Sequence, residues 1–132
     1  MNYYSATNEL LSLPRDYSLS DAIENNDIIF YQIGNYNAEQ FFQFLINFGH
    51  GIPSRIRISS FGIDGPATVS ILEYKNGKLF LTIDSTRYKV SNTIQKLEGS
   101  FIGMQLIKTN NNNYIYDYTL NNYHEIFKYV IK

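Results

Sequence analysis

The clearest periodicity in this chain is helical. Ala38, Phe41, Phe42, Leu45 and Phe48 fall on one apolar stripe. Phe44 and Ile46 lie off that stripe, which predicts a helix covered on more than one side. Asn37 is placed as N-cap, Gln40 as its capping-box partner, and Tyr36 with Phe41 as a hydrophobic staple. Gly49 or Gly51 is suited to the left-handed C-cap, and Pro53 blocks continuation. The period then switches to two. From Arg55 to Ser59 charged and apolar residues alternate, predicting a strand with Ile56 and Ile58 inward and Arg55 and Arg57 outward. Asp64-Gly65-Pro66 breaks the chain, and Asn76-Gly77 predicts a two-residue type I′ hairpin turn. That turn sets Lys75 opposite Lys78, Tyr74 opposite Leu79 and Leu72 opposite Leu81. Leu72, Tyr74, Leu79, Leu81 and Ile83 then share the core face, and Val69, Ile71, Glu73, Phe80, Thr82 and Asp84 share a mixed face that something partly covers.

Weaker patterns fill the remainder. Residues 1–17 lack periodicity and are expected to attach loosely. Residues 18–26 read as a short helix capped by Ser18 or Ser20, and residues 27–33 as a strand followed by a turn at Gly34-Asn35. Residues 85–91 read as a loop or edge strand, and 93–98 carry no decisive signal. Strands are expected over 100–108 and 114–120, joined by a polar loop at 110–113. The end, 123–131, reads as helix or strand, and apolar residues at 123, 126, 127 and 130 favour the helix. The expected class is α+β. It is a single domain with a mainly antiparallel sheet, and the helices near 38–48 and 19–26 pack on one face.

Composition changes this picture in a few ways. A chain of 132 residues suits one domain with a real core. A net charge of −1 gives no electrostatic case for nucleic acid or an anionic membrane surface. With no cysteine, disulfides, thiol nucleophiles and thiolate metal sites are excluded. No apolar run reaches the length of a membrane span, and as written the chain is expected to be cytoplasmic.

Candidate chemistry is sparse. His50 and His124 have no metal-ligand spacing, no glycine-rich phosphate loop exists, and no cofactor is expected. Arg55 and Arg57 project from the strand face that also carries Glu73 and Asp84, with Arg87 just beyond. Arg55, Arg57, Asp84 and Arg87 form the candidate binding site, an anion or carboxylate receptor with Asp84 orienting a guanidinium. The alternative is a set of cross-strand charge pairs.

The runs Asp21 to Ile29, Phe44 to Gly51, Ser54 to Ile58, Leu72 to Lys78 and Asp84 to Lys89 resemble a family of small lipoprotein-type domains of low-GC Gram-positive bacteria, described only as a domain of unknown function. The resemblance spans roughly residues 18–90 and implies an extracytoplasmic α+β domain with neither enzyme activity nor cofactor. The family's lipid-anchoring cysteine and later cysteines are missing from this chain. From the residues, the leading expectation is a non-enzymatic domain binding a protein or small ligand. A carboxylate- and arginine-dependent hydrolase or transferase is second. A homodimeric module joined through Ile71 and Phe80 is third.

Overall fold

The computed structural model describes the backbone of residues 5–31, 34–62, 65–88, 92–99, 101–108, 114–120 and 124–131, and side chains within 5–29, 36–62, 65–88, 92–96 and at 98. Its elements are α1 (Ala6–Ser12), α2 (Leu19–Glu24), β1 (Ile28–Tyr31), β2 (Gly34–Tyr36), α3 (Ala38–Gly49), β3 (Ser54–Phe61), β4 (Thr68–Lys75), β5 (Lys78–Asp84), β6 (Gln95–Gly99), β7 (Phe101–Lys108), β8 (Tyr114–Leu120) and β9 (His124–Ile131). The class is α+β. One sheet has six strands in the order β2-β1-β3-β4-β5-β6, and a second has three in the order β7-β8-β9. Every pairing is antiparallel except β1 with β3, whose connection runs through β2 and α3.

The hairpin follows its turn chemistry. Asn76 and Gly77 have φ of 53° and 75°, as a type I′ turn requires, and the register pairs Lys75 with Lys78, Tyr74 with Leu79 and Leu72 with Leu81. That register sorts the sheet into two apolar layers. Ile28, Ile56, Ile58, Leu72, Leu79, Leu81 and Ile83 pack under Phe41 and Phe44 of α3. On the opposite face Ile29, Phe61, Val69 and Ile71 pack with Ala6 and Leu10 of α1, Tyr17 of the segment between α1 and α2, and Ala22 of α2.

The helices therefore do not share one face, as their amphipathic patterns suggested. α3 covers one side, and α2 covers the other together with α1, a helix absent from the periodicity. The reason is chain reversal. α2 ends in a Schellman motif, with Asn26 at φ 59°, its amide on the Ile23 carbonyl (3.1 Å) and the Asp27 amide on the Ala22 carbonyl (3.0 Å). This sends Asp27 and β1 back beneath α2. Residues 5–17 are not loosely attached: Leu10 is 1% exposed and Tyr17 4%. Only two positions of α1, Ala6 and Leu10, are buried, too few to register as a periodic stripe.

Three further expectations are corrected. Asn37 makes no side-chain cap bond; it sits at φ 60° and its side-chain Nδ2 donates to the Asp27 carbonyl at 2.8 Å, while Gln40 Nε2 donates to the Asn26 carbonyl at 2.7 Å. Both residues tie α3 to the end of α2 instead of capping α3. Phe44 belongs to the buried face of α3 and Phe42 is only partly buried, whereas of the two expected glycines it is Gly51, at φ 71°, that supplies the C-terminal reversal. The segment His124–Ile131 is strand β9, paired with β8, rather than a helix. Its Ile, Phe, Tyr and Val residues are strong strand formers, and an available antiparallel partner outweighs a helical spacing. The expected strand end at 32–33, the loop positions 63–64, 89–91 and 110–113, and residues 1–4 lie outside the described residues.

Candidate functional site

Two polar knots sit beneath α1 and α2, and between them they hold the candidate residues. The first centres on Asp27. Parallel pairing of Ile28 with Ile58 brings Asp27 beside Arg57 and Ser59. Its carboxylate is 2% exposed and accepts from Arg57 Nε at 2.7 Å on Oδ1, and from Ser59 Oγ at 2.8 Å and the Tyr17 hydroxyl at 2.5 Å on Oδ2. Arg57 also reaches Glu9 Oε2 at 3.3 Å, and Glu9 Oε1 in turn pairs with Arg55 at 3.0 Å. Arg55 meets Glu73 at 3.6 Å across the sheet. Burial alone would lower the Arg57 guanidinium, but the charge of Asp27 and the bond to it, helped by Glu9, hold it above its ordinary value.

The second knot closes the exit of β5. Asp84 Oδ1 accepts from the Thr86 amide (2.9 Å) and hydroxyl (2.5 Å), and Oδ2 pairs with Arg87 at 3.3 Å. Both side chains of that ion pair are 2% exposed. Arg87 also donates to the Pro14 carbonyl at 2.8 Å, and Arg15 grips Thr86 through two bonds of 2.7 Å. Tyr17 joins the knots: its hydroxyl belongs to the first, and the Arg87 guanidinium lies 5.8 Å from its ring centroid.

Tyr17 has its phenol pushed up to about 12 from 10.0, first by burial and then by the hydrogen bond it donates to Asp27. The folded chain thus favours the neutral phenol over the ionised one. The stability from this group is complete below about pH 10 and is lost as pH rises through about 12. Tyr17→Phe is expected to flatten the fall in urea midpoint between those two values, and tyrosinate absorbance should lose its most alkaline-titrating component. An unchanged alkaline limb would show that Tyr17 does not govern it.

The four sequence candidates are thus brought together in pairs, Arg55 with Arg57 through Glu9, and Asp84 with Arg87 directly. Three of them face inward: Arg57 onto Asp27 and Glu9, Arg87 onto Asp84 and the Pro14 carbonyl, and Asp84 onto Arg87 and the Thr86 donors. No spacing in the sequence marks Glu9, Tyr17, Asp27 and Ser59 as members of such a site. Their partners lie 10 to 48 positions away and are set by a parallel pairing and a helix that the patterns do not reveal. The one available signal is Asp27, an acidic residue directly before the apolar Ile28-Ile29. Comparisons with protein families, with curated proteins and with solved structures find no match to this chain.

Where α1 begins, the sheet emerges from beneath it. Arg55, Glu73, Phe80 and Glu98 lie opposite one another on successive strands β3 to β6, and so share the α1 face. A groove of about 1060 Å³ opens there, lined by Arg55, Glu73, Lys75, Phe80, Thr82 and Lys96 beside the first residues of α1. Lys75 lies 5.1 Å from the Phe80 ring centroid, and its side chain is 52% exposed. Arg55 is the sequence candidate that reaches this groove. Among the described residues, no helix is long and apolar enough to cross a membrane.

Proposed function

We propose that this chain is a non-enzymatic protein-interaction domain whose contact surface is the groove at the start of α1. The supporting observation is the division of its charges. Arg57, Asp84 and Arg87 are spent inside the polar knots, whereas Arg55, although paired with Glu9 and Glu73, and Lys75 stand on the groove rim beside a half-buried aromatic. Among the described lining residues Arg55, Lys75 and Lys96 outnumber the one carboxylate, Glu73, in a chain of net charge −1. Such a surface suits an acidic protein segment with an apolar residue to set against Phe80. The hydrolase or transferase reading keeps a specific observation, Glu73 in a concave site. It is the weaker reading, because Glu73 is held by Arg55 and by Lys75 at 3.8 Å and has no second carboxylate beside it in the groove among the described residues.

Arg57 is a poor probe of binding, because its removal also unpairs Asp27. The informative variant is Arg55→Ser with Lys75→Ser, which deletes two rim cations. Protein retained from the source extract by the wild-type chain should bind this variant about tenfold more weakly, about 1.4 kcal/mol. Binding should also weaken between low and physiological salt. Equal capture by both forms, or capture of no protein, would overturn the reading.

A further inference from the structure

We propose that β6 is a self-complementary edge through which two copies of this chain pair, continuing the six-stranded sheet across a twofold axis at Leu97. β6 ends the strand order, and among the described residues its strand pairing is on the inner side, with β5. An edge of this kind presents a row of unpaired amides and carbonyls, and an unprotected one recruits another strand. The five residues Gln95-Lys96-Leu97-Glu98-Gly99 carry one cation and one anion, placed symmetrically about the centre. Antiparallel pairing with Leu97 at the axis therefore sets Lys96 opposite Glu98 of the partner subunit, and the symmetry makes the contact twice. Lys96 and Glu98 are both exposed and both project from the α1 face of the sheet, opposite Thr82 and Phe80. Shifting the register by two residues in either direction sets Lys96 against its own copy or Glu98 against its own copy, so charge selects one alignment.

Lys78 already holds Glu98 at 2.8 Å, which places that carboxylate between two ammonium groups in the paired form. This surface differs from the homodimer expected through Ile71 and Phe80. Ile71 is fully covered by the α1 and α2 layer. Lys96 also lines the groove, so the two readings are separated by Glu98→Lys, which changes no groove-lining residue, and by Arg55→Ser with Lys75→Ser, which leaves β6 unaltered.

Analytical ultracentrifugation of the full chain between about 10 µM and 1 mM is the measurement, the range suited to an edge this short. A reversible monomer–dimer equilibrium is expected. Lys96→Glu alone and Glu98→Lys alone each create two like-charge contacts, and each should weaken the dimer at least tenfold. The double variant Lys96→Glu with Glu98→Lys restores opposite charges and should restore the dimer. Circular dichroism melts should be alike for all four proteins, because both positions are on the surface. A chain that stays monomeric throughout would overturn the proposal. So would a dimer indifferent to either single reversal, or a double variant that fails to recover.

Discussion

Asp27→Ala is expected to destabilise the chain by about 3–5 kcal/mol, the cost of removing one partner from a buried ion pair. The carboxylate is 2% exposed and serves three donors at once, Arg57, Ser59 and Tyr17. Without it, the Arg57 guanidinium keeps only Glu9 as a carboxylate partner, and the buried hydroxyls of Ser59 and Tyr17 lose their acceptor. Desolvation already spent on these groups is then uncompensated. Asp27→Asn should cost less, since its side-chain oxygen still accepts from one or two of the donors while the charge is lost. Urea denaturation followed by circular dichroism separates the two variants. A loss under about 1 kcal/mol for Asp27→Ala would mean that water satisfies this cluster as well as Asp27 does. Because the same knot ties α1, α2, β1 and β3 together, the loss should appear as one cooperative transition at lower urea, not as fraying of the N-terminus.

Phe44→Ala should cost a similar amount, about 3–5 kcal/mol, through the opposite layer of the fold. Phe44 is 1% exposed and packs with Phe41 over Ile56, Ile58, Leu72 and Leu81. Truncating it leaves a cavity that three sheet strands and a helix can close only in part. Ile46→Ala is the matched control. Ile46 is 53% exposed, and its truncation should move stability by no more than about 0.5 kcal/mol. Equal losses at the two positions would place the α3 stripe where the simple periodicity put it, with Phe44 outside.

These two substitutions also mark the boundary of what the amino-acid pattern reveals. Phe44 could be misplaced because α3 has aromatics at 41, 42, 44 and 48. When nearly every turn offers two apolar faces, the spacing alone does not choose between them. The sheet chooses, since it presents one flat layer to the helix. Asp27 was harder still. Its identity as an acidic residue was visible, but its meaning depends on Arg57 lying beside it, thirty positions further on.

What the sequence determined by itself is local. The Asn76-Gly77 turn sets its own register, because positive φ at two successive residues admits few geometries, and each paired residue follows from it. The core-facing residues of β3, β4 and β5 follow from period-two alternation, and the helix ends are narrowed to Gly49 or Gly51 for α3 and Ser18 or Ser20 for α2, of which the fold uses Gly51 and Ser18. Tertiary structure alone decided the rest. It placed α1 and α2 on the face opposite α3, paired β1 parallel to β3, made β9 a strand, and turned Arg57, Asp84 and Arg87 from an outward array into buried ties. The physical reason is common to all four. Each outcome depends on which distant segment a given face meets. The burial and hydrogen bonds gained there outweigh the few tenths of a kcal/mol by which neighbouring residues bias the backbone.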